Sequence, residues 1–286
     1  MIRLLHLSDP HFGAADAAVA DAFLSYAKSN RYDFTVLSGD LTMRARRSEL
    51  NDAASFIREI PQPLLLIPGN HDVPATNHPL ERFFSPFRRY RKWFGNDLEP
   101  EYADENFHIV SVNSTRAFGL HADWSDGILS QKQLDDMVGR FLAHGDRGFR
   151  ILVLHHPLLA PIGHGRAVVK PLPSLLQAIH EAKVDLVLCG HFHRSQLATA
   201  GTLEGWKSVV SQAPTVCSTR LQGEPQGFHE IRFSSQRIEI TPWRFLGSHF
   251  AAMPAACFER NESGWSDCEN TTTDEVVSIE PTSTTS

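Results

Sequence analysis

Short apolar runs alternate with amphipathic segments along most of this chain. The runs are rich in leucine and β-branched residues and are apolar at nearly every position, which is typical of strands buried on both faces of a sheet. They cover residues 2–8, 34–38, 64–68, 107–113, 149–155 and 184–189. Between them, helical periodicity predicts helices over residues 16–29, 48–60, 130–144 and 174–182. Alternating strands and helices of this length predict an α/β layered fold.

The pattern changes after residue 195. Helical periods disappear, and short strand-like runs separated by glycine-containing turns continue to residue 245, which predicts an antiparallel meander packed on the α/β core or continuing it. Serine, threonine, asparagine and acidic residues dominate beyond about residue 250. We therefore expect a main domain over residues 1–248 and a C-terminal extension over 249–286, whose last ~20 residues are acidic and disordered.

A segment rich in aromatic and basic residues interrupts the alternation after the third predicted strand. Residues 79–95 carry the basic side chains Arg82, Arg88, Arg89, Arg91 and Lys92, interleaved with the aromatic side chains Phe83, Phe84, Phe87, Tyr90, Trp93 and Phe94. We predict a small helical cap, inserted over residues 78–97, at one end of the sheet. Two interpretations stay open: the segment contacts an anionic membrane surface, or its aromatic residues pack onto the body while the arginines are solvated. Arg88 or Arg91 could instead turn inward and bind a substrate phosphate.

Composition and charge exclude several classes of protein. The chain has 286 residues, of which 42% are hydrophobic and 21% charged, as in ordinary globular domains. No apolar run approaches the length of a membrane-spanning helix, and the formal net charge of −6 argues against a nucleic-acid polymer as partner. The four cysteines form no C-x-x-C pair, and the first residues lack a secretory-type apolar stretch. We therefore expect a reducing, cytoplasmic location.

Metal-ligand side chains follow five of the predicted strands. The segments are Asp9-Pro10-His11, Gly39-Asp40, Gly69-Asn70-His71-Asp72, His155-His156-Pro157 and Gly190-His191-Phe192-His193. In an open α/β sheet, sites form outside the carboxyl ends of the strands, so these five endings are expected to converge. A lone Gly-Asp or Asn-His-Asp is more often a turn than a site. The joint placement of all five segments is what favours a functional site.

The residue types fit a pair of divalent metal ions. Carboxylate and amide oxygens suit hard ions, whereas imidazole suits zinc, iron or manganese. In Asp-x-His and His-x-His, the two ligands lean to the same side of an extended strand. One carboxylate must bridge the two ions, and Asp40, which stands alone after Gly39, can do so.

These ordered motifs, which span roughly residues 1–245, resemble the signature of the calcineurin-like metallophosphoesterases. The stretches around Asp40 and Asn70 look most like the bacterial class III cyclic-nucleotide phosphodiesterase branch of that family. The resemblance implies a four-layer α/β/β/α sandwich that holds two divalent ions, Mn, Fe or Zn. It implies one ion on Asp9, His11, Asp40 and His193, and the other on Asp40, Asn70, His155 and His191.

The same resemblance implies hydrolysis of a phosphate ester. Two metal ions would clamp the phosphate, and a bridging water of lowered pKa would attack in line. His71 would contact the phosphate and protonate the leaving oxygen, and Asn70 would lie beside the substrate as well. Asp72 would orient His71 through a hydrogen bond, as carboxylates commonly do for working imidazoles.

The substrate stays open at this stage. We place a small phosphodiester first, 3′,5′-cyclic AMP or a relative, and a lipid or nucleotide-sugar-lipid phosphodiester or pyrophosphate at a membrane surface second. A non-catalytic scaffold is disfavoured, because every ligand position holds a residue of the right type. A homodimer through the 195–245 segment or the aromatic insertion is a further hypothesis.

A few other residues are weaker hypotheses. His164 and Arg166 lie on a glycine-bearing loop after the His155 motif, and loops of this kind often contact substrate. Asn113 and His121 follow the fourth predicted strand. We interpret His156 as a core residue or a neighbour of the ligands rather than a ligand.

Overall fold

A computed structural model describes residues 1–75, 77–116, 126–145, 148–160, 168–202 and 205–268, which fold into strands covered by helices. The strands are β1 (Ile2–Leu7), β2 (Phe34–Leu37), β3 (Leu64–Leu66), β4 (Glu101–Ala103), β5 (Phe107–Ser111), β6 (Phe149–Val153), β7 (Leu186–Cys189), β8 (Gln196–Gly201), β9 (Lys207–Gln212), β10 (Gly227–Phe233), β11 (Arg237–Phe245), β12 (Phe250–Ala252), β13 (Ala256–Asn261) and β14 (Gly264–Asp267). The helices are α1 (Ala17–Lys28), α2 (Arg47–Glu59), α3 (Pro79–Phe84), α4 (Arg88–Phe94), α5 (Gln131–Ala143) and α6 (Leu172–Ala182). A 3₁₀ turn, Asn70–Asp72, follows β3.

The strands follow one hydrogen-bonded path that folds over into two facing halves. In the first half, β1, β2 and β3 are parallel neighbours, while β10 is antiparallel to both β1 and β11. In the second half, β5, β6, β7 and β9 are parallel neighbours, with β4 antiparallel at the edge. The halves are joined through β13 and β14, where Gly264 pairs with Lys207 of β9.

Three hydrophobic clusters separate four layers of structure. The inner cluster lies between the two halves of the sheet, and there the rings of Phe149 and Phe233 stack with their centroids 4.3 Å apart. One outer cluster packs α1 and α2 on the first half, and another packs α5 and α6 on the second. In β1, for example, Leu4 belongs to the inner cluster and Leu5 to an outer one. Strands buried on both faces explain the nearly continuous apolar runs, and the predicted α/β/β/α sandwich is confirmed.

The starts of α1 and α5 follow side-chain caps that are visible in the sequence. At α1, the carboxylate of Asp16 accepts from the N–H groups of Ala18 and Val19 at 2.9 and 3.3 Å. At α5, the Ser130 hydroxyl accepts from the Gln133 N–H at 3.3 Å, and the Gln133 side chain accepts from the Ser130 N–H at 3.1 Å. The spacing of these two residues predicts this reciprocal capping box, which the structure confirms.

The chain after residue 195 differs from the predicted single meander. The β8–β9 hairpin lies in the second half of the sheet, where β9 also runs parallel to β7, and the β10–β11 hairpin lies in the first half. The sheet also continues past residue 248, because β12 and β13 pair with β11, and β14 pairs with β13. Only isolated side chains of these last strands, such as Phe258 and Trp265, enter the inner core, so they form no apolar run. The predicted disordered tail lies outside the described residues from 269 onward.

The predicted cap consists of the two short helices α3 and α4. Tyr90 is fully buried in the outer cluster beneath α1 and α2, with the ring of Phe94 at 5.2 Å from its own. Arg89 connects the helices to each other and to the body, since it donates to the Glu81 carboxylate and, at 3.0 Å, to the Ala45 carbonyl. Part of the aromatic content of the cap therefore packs onto the body.

Other apolar side chains of the cap face solvent. Leu80, Phe83 and Phe84 are 74%, 52% and 74% exposed. Arg91 and Lys92 on α4 are exposed as well. Among the helices of the described ranges, none combines the length and the apolar character needed to cross a membrane.

Candidate metal centre

The loops that follow β1, β2, β3, β6 and β7 meet at one edge of the sandwich. They bring together all of the side chains predicted as metal ligands: Asp9, His11, Asp40, Asn70, His155, His191 and His193. All of these except His191, which is partly buried, are less than a tenth exposed. Because the five strands are parallel within each half, their carboxyl ends share an edge, and the polar side chains placed there must meet.

The backbone at the ligand positions adopts a conformation that residues with side chains rarely accept. The φ angle is positive at Asp9 (52°), His11 (48°), Asp40 (53°), His191 (75°) and His193 (55°). Each such residue costs on the order of 1–3 kcal/mol and persists only where the surroundings hold it. Here the loops hold each other, since the His11 N–H donates to the Asp40 carbonyl at 3.0 Å. Strain concentrated at five ligand positions indicates a functional site.

Asp9, His11 and His193 form the first cluster of ligand atoms. His11 Nε2 and His193 Nε2 lie 2.9 Å apart, and Asp9 Oδ1 lies 3.6 Å from the first and 3.3 Å from the second. Buried Asp9 Oδ1 has no hydrogen-bond donor within the described part of the chain. The Nδ1–H of His193 donates to the Arg220 carbonyl at 2.6 Å, so the Nε2 lone pair faces the cluster. Two imidazole nitrogens beside an unsatisfied carboxylate oxygen fit a cation.

Asp40, Asn70, His155 and His191 form the second cluster. His155 Nε2 lies 3.3 Å from Asp40 Oδ2 and 3.2 Å from Asn70 Oδ1. His191 Nδ1 lies 3.1 Å from the same Asn70 oxygen. The Nδ1–H of His155 donates to the Ser38 carbonyl at 2.8 Å, which again turns Nε2 toward the cluster. An amide oxygen, a carboxylate and two imidazoles make a donor set that Mn, Fe and Zn accept.

Asp40 belongs to both clusters. Its Oδ2 lies 3.5 Å from His11 Nε2 and 3.3 Å from His155 Nε2, while Oδ1 accepts from the His71 N–H at 2.8 Å. Burial opposes ionisation, but His155 and His71 outweigh it and hold the pKa of Asp40 well below its usual range. Burial likewise lowers the pKa of His155, but Asp40 outweighs it and raises that pKa to about 9. A buried, ionised carboxylate between two sets of imidazoles is suited to bridge two cations.

Two glycines make room for the carboxylates. A Cβ atom at Gly69 would overlap the carboxylate of Asp40. One at Gly190 would overlap the side chain of Ser8 and the carboxylate of Asp9. Both positions therefore need glycine because another loop approaches the backbone closely.

His71 lies beside the clusters, with its ring centroid 4.8 Å from that of His11. Its Nδ1 is 2.8 Å from the carbonyl oxygen of Met43, and its Nε2 is 3.2 Å from Nη1 of Arg220. A carbonyl can only accept and a guanidinium can only donate, so in the neutral ring these partners favour the tautomer with the proton on Nδ1. The Nε2 lone pair accepts from Arg220.

The prediction that Asp72 is hydrogen-bonded to His71 is wrong. Asp72 accepts instead, at 2.9–3.0 Å, from the N–H groups of Leu41, Thr42 and Gly69 and from the Thr42 hydroxyl. Burial and the nearby Asp40 carboxylate raise the pKa of Asp72 to about 7, although the backbone N–H groups lower it. The 3₁₀ turn places residue 72 next to the loop after β2. Asp72 thereby connects that loop to the loop after β3 through hydrogen bonds, and both loops carry predicted ligands.

The weaker sequence hypotheses have different outcomes. His156 Nδ1 lies 2.8 Å from the Ser114 hydroxyl, and its ring centroid is 4.7 Å from that of His191, which makes it a neighbour of the second cluster. Asn113 accepts from a nearby main-chain N–H at 3.0 Å and shapes its own loop. Arg88 is exposed on α4. The positions that lie outside the described residues are His121, His164 and Arg166.

Arg220 is the residue of this site that the sequence does not reveal. It lies in the loop between β9 and β10, which carries no ligand motif. The available signal is topological: β9 is a further parallel strand of the second half, so its carboxyl end reaches the same edge as that of β7. Recognising β9 as parallel to β7 would have pointed to the residues after it.

The fold is a four-layer sandwich, and two clusters of candidate ligands that share a carboxylate lie at one of its edges. This combination is typical of the metal-dependent phosphoesterases, which is the class of protein that the fold and the site indicate. The sequence profile of the family described as calcineurin-like phosphoesterase matches residues 2–195, and the chain belongs to that family.

Curated relatives include several bacterial phosphodiesterases. The chain is 28% identical over 197 residues to the probable cyclic nucleotide phosphodiesterase of a Synechococcus species, covering 66% of this chain and 69% of that protein. It is 27% identical over 245 residues to the glycerophosphodiester phosphodiesterase GpdQ of Enterobacter lignolyticus, covering 74% and 78%. It is 25% identical over 212 residues to the 3′,5′-cyclic adenosine monophosphate phosphodiesterase CpdA of Escherichia coli, covering 68% and 70%.

Solved structures with this fold include more distant proteins. The purple acid phosphatase PPD1 of yellow lupin matches with a TM-score of 0.61 at 14% identity, covering 96% of this chain and 57% of that one. GAP50 of Plasmodium matches with a TM-score of 0.59 at 14% identity, covering 88% of each chain. At such identities the likeness shows the fold alone.

Proposed function

We propose that this protein is a hydrolase of small phosphodiesters that depends on two divalent metal ions, with 3′,5′-cyclic AMP or a related diester as substrate. The observation that carries the proposal is the position of Asp40. Its Oδ2 lies within 3.5 Å of a ligand nitrogen in each cluster, His11 Nε2 in the first and His155 Nε2 in the second. The names of the relatives support a diester substrate, since they refer to cyclic nucleotides and to glycerophosphodiesters.

The ligand side chains divide into two sets that share one member. The first ion would be held by Asp9, His11, Asp40 and His193, and the second by Asp40, Asn70, His155 and His191. When bound, such a pair stabilises charge on the phosphoryl oxygens and lowers the pKa of a water that becomes the nucleophile. The buried position of these ligands limits access of bulk water, which strengthens every electrostatic interaction within the site.

His71 is the group of this chain placed to act on the leaving oxygen. The Met43 carbonyl keeps the Nδ1–H of His71 in place, so a proton given to the substrate must leave from Nε2. In the present arrangement that nitrogen accepts from Arg220. Protonation of a leaving oxygen by His71 therefore requires that Arg220 first turns to another acceptor and that Nε2 then takes up a proton from solvent.

The test is turnover by chelator-stripped protein reloaded with Mn²⁺, Fe²⁺ or Zn²⁺. The substrates are cyclic AMP, a glycerophosphodiester and bis-p-nitrophenyl phosphate. Asp40→Ala removes the shared ligand, and Asp52→Ala removes an exposed carboxylate of α2 as the matched control. Metal-dependent turnover of cyclic AMP, lost only in Asp40→Ala, is the expected result. Turnover of another diester alone would keep the chemistry and reject the cyclic nucleotide, and no turnover by the loaded protein would contradict the proposal.

A lipid phosphodiester at a membrane surface is the second candidate substrate. The observation that favours it is the exposure of Leu80, Phe83 and Phe84 on the cap, close in sequence to the exposed cations Arg91 and Lys92. Apolar side chains beside basic ones suit an anionic bilayer. Sedimentation with phosphatidylglycerol vesicles tests this reading. Binding that is lost in Phe84→Asp supports it, and equal recovery of both proteins in the supernatant contradicts it.

A further inference from the structure

Arg220 is held at the candidate metal centre by the main chain around it. The loop over residues 213–226 is bonded to the loop that carries Asp9 and His11: the Thr215 hydroxyl donates to the Asp9 carbonyl at 2.6 Å, and the Thr219 N–H donates to the Ala14 carbonyl at 2.8 Å. The carbonyl of Arg220 itself accepts from His193 Nδ1 at 2.6 Å. The position of this arginine is therefore fixed relative to the first ligand cluster.

The guanidinium of Arg220 has weak partners for a cation. Its Nη1 lies 3.2 Å from His71 Nε2 and 3.7 Å from the sulfur of Met43, neither of which is an anion. Within the described ranges it has no carboxylate at ion-pair distance, whereas Arg89 pairs with Glu81 and holds two helices together. A guanidinium carries five N–H donors in a planar fork, so most of those of Arg220 remain for another acceptor.

A phosphate oxygen is the acceptor that this arrangement suits. The guanidinium fork matches phosphate geometry, and a charged oxygen is a stronger acceptor than an imidazole nitrogen or a thioether. His71 places the guanidinium next to both clusters, because an imidazole nitrogen of His71 lies within 4.8 Å of ligand atoms of His11 and Asp40. A phosphate ester held at the clusters would thus lie within reach of Arg220.

We propose that Arg220 binds a non-bridging oxygen of the substrate phosphate and selects anionic phosphate esters over neutral ones. This inference rests on the proposed phosphodiesterase function and adds a specificity residue to it. On binding, the guanidinium exchanges His71 Nε2 for the phosphate oxygen, which frees that nitrogen to take up a proton from solvent and to face the leaving group. Arg220 is then a residue that contacts substrate and also controls which partner His71 has.

The substitution Arg220→Gln removes the guanidinium of residue 220 and leaves its main-chain carbonyl in place, so it tests the role of the side chain alone. The carbonyl that orients His193 remains, so metal content should equal that of the unaltered protein. Arg220→Lys restores the charge without the planar fork, and Arg232→Gln is the matched control. Arg232 is a half-exposed arginine of β10 that forms an ion pair with Glu239. It lies opposite Arg3 at the start of β1, away from the carboxyl ends that carry the predicted ligands.

The deciding measurement is the equilibrium affinity of the metal-loaded protein for inorganic phosphate, by calorimetry. We expect Arg220→Gln to weaken phosphate binding about 10- to 100-fold, the value of one hydrogen bond between charged groups. Arg220→Lys should recover part of the loss, and Arg232→Gln should bind as tightly as the unaltered protein. Unchanged phosphate affinity in Arg220→Gln at full metal content would overturn the inference. Failure of the unaltered, metal-loaded protein to bind phosphate would overturn it as well.

Turnover supplies a second readout that a purely structural role would not produce. Bis-p-nitrophenyl phosphate is an anion, whereas diethyl p-nitrophenyl phosphate is a neutral ester with the same leaving group. We expect Arg220→Gln to lower kcat/KM for the anion about 10- to 100-fold and to change that for the neutral ester little. Equal losses on both would contradict selection by charge. If the unaltered protein turns over neither ester, the proposed function is contradicted. The phosphate affinities of the unaltered protein and of Arg220→Gln still test the role of Arg220 in that case.

Discussion

Asp72→Ala is expected to lower the free energy of unfolding of the metal-free protein by about 4 kcal/mol. The buried carboxylate of Asp72 accepts from the N–H groups of Leu41, Thr42 and Gly69 and from the Thr42 hydroxyl. Removing it leaves three main-chain donors without their acceptor. Each buried donor left unsatisfied costs about 1–3 kcal/mol, and water entering the vacated space recovers part of the sum.

Asp72→Asn should cost about half as much, or roughly 2 kcal/mol, because an amide keeps one of the two acceptor oxygens. Its NH₂ group then faces one pair of donors. Where that pair is Thr42, the hydroxyl can rotate to accept, whereas the main-chain N–H cannot. Asp104→Ala is the matched control, since Asp104 also accepts from two main-chain N–H groups, of Asn106 and Phe107, but in an exposed turn where water can replace it.

Urea unfolding in the presence of a chelator, followed by tryptophan fluorescence, measures these differences. Trp265 is a suitable reporter because it is fully buried in the folded protein. The expected order of loss is Asp72→Ala, then Asp72→Asn, then Asp104→Ala. Metal-loaded Asp72→Asn should keep its kcat. If the free energy of unfolding of Asp72→Asn were unchanged while its kcat fell, Asp72 would act on His71 after all. The proposed role of Asp72 in holding the two loops together would then be refuted.

Three further predictions concern the metal centre. Metal uptake should release protons, because Asp40 overcomes burial and raises the pKa of His155 to about 9, so this imidazole is protonated below that pH until an ion displaces the proton. Affinity for Mn²⁺ should therefore rise between about pH 6 and 8, and calorimetry in buffers of different ionisation enthalpy counts the protons; a flat affinity would contradict this. Gly69→Ala should reduce the metal content, because its Cβ displaces the Asp40 carboxylate, whereas Gly139→Ala, which meets no atom within 4 Å, should not. His71→Ala should slow esters with poor leaving groups more than p-nitrophenyl esters, and equal losses on both would rule out proton donation.

The convergence of the predicted ligand side chains could be anticipated from the sequence because its signal is local. Each ligand motif follows an apolar run, and parallel strands ending at one edge leave polar side chains such as Asp9 and His155 nowhere else to meet. The helix caps at Asp16 and Ser130 are local in the same sense, since a cap and its N–H partners are at most three residues apart.

The contacts within the site could not be predicted, because they depend on how loops distant in sequence fold against each other. Asp72 is adjacent to His71, yet its partners come mainly from the loop after β2. Arg220 is 149 residues from His71 in sequence and reaches it only because the loop before β10 is bonded to the loop after β1. Strands β13 and β14 could not be predicted for a related reason. Few of their side chains are buried, so these strands are defined by their pairing with neighbouring strands and not by a hydrophobic pattern.

The most direct test of the dinuclear site is a titration of the chelator-stripped protein with Mn²⁺, followed by electron paramagnetic resonance. If Asp40 bridges two ions, the spectrum at saturation is that of a spin-coupled manganese pair, with two ions bound per chain. Asp40→Ala should lose the coupled signal, and Asp52→Ala should keep it. A saturated protein that shows only isolated manganese ions, or a coupled pair that survives in Asp40→Ala, would contradict the account.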